Sequence, residues 1–300
     1  MSQADKCRSG WQFSHSVGTR GSQHKEAILH AGFINWNSRI MANSKIIQLH
    51  EQGPAATGLS KMELDPADFQ GELPEQFWHV YHEDEAIGLF VGVWTTTSMQ
   101  ESFGPYPGNE FMYLLEGQVA MLDENDQATI IEQGETFCVR NGIPTSWKQV
   151  GSARKFFVIY APPNAVEPVL SPDEKGISIL RPDELASRLT LLETTAPFEI
   201  DGQKPEQRDA MAFSSDDEKM VAGMWDSTPF ESTMAPFPCH EFVQLLAGNI
   251  SITEENGQTS SFSPGDVFFI PQGTVCSWKV QEPVRKLYCI VDPDLAPSAG

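Results

Sequence analysis

Pro105-Tyr-Pro-Gly-Asn-Glu110-Phe-Met-Tyr-Leu-Leu-Glu-Gly117 returns 131 residues later as Pro236-Phe-Pro-Cys-His-Glu241-Phe-Val-Gln-Leu-Leu-Ala-Gly248. Working outward from this pair, Val91 to Tyr160 aligns with Ala222 to Val291 without a gap, and 22 of the 70 positions are identical, several times what chance gives. The matches include Trp94/Trp225, Gly134/Gly265, Gly142/Gly273, Trp147/Trp278, Arg154/Arg285 and Lys155/Lys286. Self-similarity at a fixed period sets architecture before any single motif is read. One module therefore occurs twice.

Within each copy, short runs rich in Val, Ile, Phe and Tyr alternate with turn signals, the pattern of a sandwich or barrel. The first copy predicts strands over 88–95, 110–116, 118–122, 128–131, 134–139 and 155–160. The turns Asp123-Glu-Asn-Asp and Glu254-Glu-Asn-Gly supply residues that tolerate positive φ in tight hairpins. Short helix signals occur only at Asp65-Pro-Ala-Asp-Phe and Arg181-Pro-Asp-Glu-Leu-Ala-Ser-Arg-Leu, and Ala161-Pro-Pro-Asn-Ala-Val-Glu-Pro reads as a linker. The expected organisation is 41–165 for the first domain and 166–300 for the second. Residues 1–40 carry five basic and two acidic side chains, against −21 for the whole chain, and read as a flexible leader or a mis-assigned start.

The acidic balance argues against nucleic-acid partners, because such affinity comes largely from Lys and Arg displacing counterions. No stretch approaches the ~18 apolar residues of a membrane span, so no membrane partner is expected. Five cysteines without a C-x-x-C pair fit neither a disulfide framework nor a structural zinc. No secretory signal pattern is present, and a cytoplasmic location is expected.

Each copy carries E-x6-G followed by a glycine-framed turn: Glu110 to Gly117 with Gly134 to Gly142, and Glu241 to Gly248 with Gly265-Asp-Val-Phe-Phe-Ile-Pro271-Gln-Gly273. These resemble the two motifs of the cupin superfamily. The fuller string of G-x-W, P-x-x-E-F, Leu-Leu-x-Gly, Ser-Trp-Lys and Arg-Lys is similar to Cupin_3, the (S)-ureidoglycine aminohydrolase type of domain. The resemblance implies an all-β fold of two tandem jelly-roll barrels with minor short helices, each with its site in the barrel mouth. Cupins pair through sheet edges, so it also allows a homodimer.

Metal-binding cupins supply three histidines and the motif glutamate. Here the upstream histidine positions fall within Phe103 to Tyr106 and Met234 to Phe237, and the third falls on Thr145 and Cys276. No metal or other cofactor is expected; an atypical divalent ion on Glu241 and Cys276 is the alternative. His240 precedes Glu241, so strand alternation turns it away from the barrel, to a surface or interface.

Glu110 and Glu241 are the candidate catalytic residues. A carboxylate facing an apolar barrel needs a partner, whether a ligand, the barrel backbone or a nearby arginine, or else water access or a bound proton. Tyr106, Met112 and Trp147 in the first barrel, with Phe237, Val243, Cys276 and Trp278 in the second, are the expected ligand-lining residues. The recurring Trp94, Trp147, Trp225 and Trp278 are expected in cores or between domains, and Arg154-Lys155 and Arg285-Lys286 as pairs at the barrel rims. The function expected is a ligand-binding or sensing protein of small-metabolite metabolism. A hydrolase or isomerase using a pocket glutamate is the alternative, and the second barrel, with the fuller motif, is the better site.

Overall fold

The computed structural model describes residues 45–163 and 176–295. The 1–40 segment and most of the proline-rich linker lie outside the described residues. Each copy folds into a large sheet facing a small one, with every strand pairing antiparallel. In the first copy the large sheet runs Ile177–Leu180, Thr136–Val139, Asn109–Glu116, Ala153–Tyr160, Leu89–Thr96, Gln76–Asp84 and Ser60–Lys61. The second copy repeats the order with Ile47–Gln48, Val267–Ile270, His240–Ala247, Val284–Val291, Met220–Ser227, Gln207–Ser214 and Thr190–Leu191. The smaller sheets centre on Pro144–Gln149 and Val275–Val280. This is the expected pair of jelly-roll barrels.

The first strand of each large sheet comes from the other half of the chain. Ile47 pairs with Phe269, and Ser178, which stands 131 residues after Ile47, pairs with Cys138, the equivalent of Phe269. The exchange is reciprocal and in register. It ties the two barrels together by backbone hydrogen bonds as well as by side-chain packing.

Alternation along the central strands explains where the core sits. In Asn109–Glu116, Glu110, Met112 and Leu114 turn into the barrel, while Phe111 turns outward to meet Phe242 of the other copy at 5.1 Å between ring centroids. Both faces of the large sheets are therefore buried, and strands such as Leu89–Thr96 read as nearly continuous apolar runs. One apolar cluster fills each barrel, and a third, built from both copies, fills the space between them.

Turn chemistry follows the sequence closely. Asp126 takes a φ of 57° and its counterpart Gly257 a φ of 83° in the two hairpins. Gly117 and Gly248 leave the central strands at φ of 89° and 74°, and a Cβ there would lie 2.4 Å from the carbonyl oxygens of Ser152 and Pro283. The two helix signals become a 3-10 turn, Pro66–Asp68, capped by Asp65 Oδ1, which accepts from the Ala67 backbone N–H, and the short helix Pro182–Ala186, which stops before Ser187-Arg-Leu. No helix among the described residues is long and apolar enough to cross a membrane.

Candidate functional site

The last strand of each barrel carries the deciding side chain. Arg154 and Lys155 are neighbours in Ala153–Tyr160, so they must face opposite sides of the sheet. Arg154 lies outside, with its guanidinium donating to the Glu51 carbonyl oxygen and standing near Glu116. Lys155 points into the barrel. The rim pairs expected from sequence are thus divided in both copies, since Arg285 bonds Asp226 outside while Lys286 is internal.

Lys155 Nζ donates to Glu110 Oε1 at 2.8 Å and approaches Met112 Sδ at 3.1 Å. The lysine and glutamate side chains are only 3% and 2% exposed. The ammonium sits 5.0 Å from the Trp94 ring centroid and 4.6 Å from that of Trp147. Cation–π attraction of this kind contributes on the order of 2 kcal/mol when the charge is desolvated. Tyr106 donates a hydrogen bond to Glu110 Oε2, so each carboxylate oxygen has a partner. The partner of the motif glutamate is therefore a lysine, not the backbone or arginine that the sequence suggested.

Glu101, which sequence reading passed over, faces the same group. Burial pushes its carboxyl up to about 7; Lys155 opposes the shift, and Glu110 and Asp68 add to it. Its backbone N–H is fixed on the Trp147 carbonyl oxygen at 2.8 Å, and Ser146 donates to its carbonyl oxygen.

The second barrel repeats the frame. Lys286 Nζ donates to Glu241 Oε1 at 2.6 Å and lies 4.9 Å from both the Trp225 and Trp278 centroids. Around that frame the hydrogen bonding changes. Phe237 stands where Tyr106 does and stacks on Trp278 at 6.0 Å. Asp209 and Tyr288 replace Trp78 and Phe157 and bond each other; burial raises the Asp209 carboxyl, while Tyr288 and Lys286 hold it down. Gln207 is buried with neither side-chain amide atom bonded.

All the ligand-lining residues expected from sequence face the barrel interiors. Tyr106, Met112 and Trp147 belong to the first apolar cluster, and Phe237, Val243, Cys276 and Trp278 to the second. Cys276 is buried, and desolvation pushes its thiol up to about 11, with the Trp278 indole opposing the shift; it is a poor nucleophile. His240 lies on the opposite face of its strand, stacked on Phe269 and 5.3 Å from His82 of the first copy. A cavity of about 400 Å³, bounded by Thr136, Gln244, Leu246, Leu287 and the helix Pro182–Ala186, lies outside both barrels and contains neither lysine–glutamate pair.

The residues present do not fit a three-histidine metal site. An ammonium occupies the cation position against each motif glutamate, and a metal there would have to displace it or bind beside a like charge. Among the described residues no three His, Cys, Asp or Glu side chains gather as a ligand set. Lys155, Lys286, Glu101, Asp209, Tyr288 and Gln207 are the site residues that sequence reading missed. For the lysines the signal was present, because both recur in the repeat one position from an outward-facing arginine.

Comparison with known proteins supports the fold. Residues 214–288 match the EutQ-like cupin domain. The chain is similar over 83% of its length to the whole of a protein of unknown function from Pseudomonas syringae pv. tomato, at 22% identity and a TM-score of 0.64. It also resembles a protein named as glyoxylate-induced from Pseudomonas aeruginosa, at 10% identity and a TM-score of 0.53, covering 90% of this chain and 97% of that one. No curated protein matches the sequence. The fold is thus a pair of jelly-roll barrels, and residues 214–288 of the second match a cupin domain.

Proposed function

We propose that this protein is a small-molecule-binding cupin of cytoplasmic metabolism that works without a bound metal, with its ligand site in the second barrel. The observation that supports this reading is the buried Lys286–Glu241 pair held between Trp225 and Trp278. It neutralises the motif glutamate internally and sets it among aromatic side chains of the kind that surround small ligands. Among the described residues Cys138, Cys239, Cys276 and Cys289 are free and buried, which accords with a reducing compartment.

A second reading has its own support in the first barrel. A carboxyl held near 7 beside an ammonium and a second carboxylate is suited to proton transfer at neutral pH, and Glu101 would be the acid of a hydrolase or isomerase.

The deciding experiment combines elemental mass spectrometry, after supplying iron, manganese, zinc and nickel, with a thermal-shift screen of small metabolites. The wild type should carry well under one metal per chain. At least one metabolite should raise its melting temperature, and the paired substitution Lys286→Met with Glu241→Gln should abolish that shift. Stoichiometric metal lost on Glu241→Gln would overturn the reading. Turnover of a screened compound that falls as pH rises through about 7, and is lost in Glu101→Gln, would favour the enzyme.

A further inference from the structure

We infer that Gln207 is the hydrogen-bonding anchor of the ligand in the second barrel, and that this ligand is a small uncharged molecule carrying a donor and an acceptor side by side, as a primary carboxamide does. The inference rests on the binding reading above and adds the chemistry of what is bound.

Gln207 pairs with Ser227 across the sheet, and Asp209, two residues on, pairs with Trp225. Side chains two apart on a strand share a face, so Gln207 looks into the same interior as Asp209 and Trp225. It is 1% exposed, and both Nε2 and Oε1 lack a partner. Buried amides are rarely left in that condition without a ligand or an ordered water to meet them.

The first barrel shows that the position can be satisfied internally. Gln76 occupies the equivalent place, paired with Thr96. Its Oε1 accepts from Trp94 Nε1 at 3.2 Å and its Nε2 reaches Met99 Sδ at 3.2 Å. In the second barrel Met99 becomes Phe230, which offers no acceptor. Phe230 and Phe198 instead pack against Trp225 and each other, surrounding this part of the interior with aromatic surface.

Charge narrows the ligand further. Lys286 is already committed to Glu241 and also faces Asp209. An added anion would meet two carboxylates with no free cation to hold it, and an added cation would meet the ammonium. A neutral carboxamide presents one N–H donor and one C=O acceptor, complementary to the donor and acceptor of the glutamine amide itself. Aromatic walls favour a flat apolar body behind that group.

The test titrates the full-length protein with benzamide, benzoate and benzylamine, following tryptophan fluorescence and calorimetry. Benzamide should bind at least tenfold more tightly than either charged analogue. Gln207→Leu should lose at least tenfold in benzamide affinity while melting at a higher temperature than the wild type, because an unpartnered amide has been removed. Gln207→Glu, which keeps an acceptor but no amide donor, should also lose binding, and Gln76→Leu should leave it unchanged. Wild-type affinity in Gln207→Leu would overturn the inference, as would a lower melting temperature for that variant, the mark of an amide already held by water. Benzoate or benzylamine binding that is lost in the Lys286→Met, Glu241→Gln pair would defeat the Gln207 assignment and leave the second barrel as a binding site. Absence of binding by all three probes would overturn this inference alone, and the metabolite screen would decide on the barrel.

Discussion

The two barrels hold their lysines alike and satisfy the surrounding polar groups differently. Both keep Lys, Glu and two Trp at equivalent positions, which makes that quartet a frame for the barrel. What has diverged is the second layer of contacts. The first barrel gives Glu110 a phenol, Gln76 an indole and a thioether, and the ammonium a second nearby carboxyl in Glu101. The second removes the phenol, leaves Gln207 open and adds the Asp209–Tyr288 pair. The duplicated fold thus retains the charges that are costly to separate and varies their hydrogen-bond partners.

The largest expected effect tests whether the frame is shared. Lys155→Met and Lys286→Met each leave a buried carboxylate unpaired and should each destabilise by roughly 3–5 kcal/mol in urea unfolding. Adding Glu110→Gln or Glu241→Gln in the same barrel should recover most of the loss, because a neutral amide does not need the ammonium. A single-lysine loss well below that range in one barrel only would break the equivalence.

A smaller effect separates the copies at their interface. His240 and Asn109 are equivalent, and each accepts from a backbone N–H of the following turn: Gln272 N to His240 Nδ1 at 3.3 Å, and Asn141 N to Asn109 Oδ1 at 3.1 Å. Only the histidine titrates. Burial, with His82 adding and Asp84 opposing, pushes it down to about 4. A folded pKa below the unfolded value of ~6.5 means that the neutral form is favoured. The associated stability is present above pH 6.5 and lost as pH falls towards 4. It is worth at most roughly 3.5 kcal/mol, from about 1.4 kcal/mol per pKa unit over about 2.5 units. His240→Asn, which gives the second copy the side chain of the first, should flatten the fall in melting temperature between pH 7 and pH 4.5. An unchanged acid limb would mean that His82, also lowered by burial, or another group carries it.

The fold was largely legible because a repeat with fixed spacing reports the architecture directly, and its glycines mark turns that only positive φ allows. Glu110 and Glu241 were legible for the same reason. The strand Gln76–Asp84 escaped notice because its Trp, His and Tyr side chains are mostly half-buried and blur the alternation, and the exchanged pair Ile47–Gln48 and Ile177–Leu180 because pairing across copies leaves no local trace. The lysines were visible but misjudged, since a charged residue beside an arginine reads as surface until strand direction separates them. Gln207, Asp209 and Glu101 lie where the repeat diverges or outside its aligned part, so identity between copies could not flag them. They matter through which partner is missing, and that is a property of packing.

The finest test exchanges one hydroxyl between barrels. Tyr106 donates to Glu110 Oε2, and Phe237 offers Glu241 nothing equivalent. Hydrogen bonds to a charged group typically contribute more than neutral ones, so Tyr106→Phe should cost about 1.5 kcal/mol and leave ligand binding in the second barrel untouched. Phe237→Tyr is the converse. If the second interior is kept under-satisfied for a ligand, the new phenol should stabilise the free protein by up to a similar amount and weaken ligand binding by occupying space and a carboxylate oxygen that the ligand would otherwise approach. Differential scanning calorimetry and a binding titration on the same two variants make the comparison. Equal and opposite stability changes with binding lost only in Phe237→Tyr would sharpen the division of labour. Equal losses of stability in both would mean that the second barrel is as closely packed as the first, and that the binding site lies elsewhere.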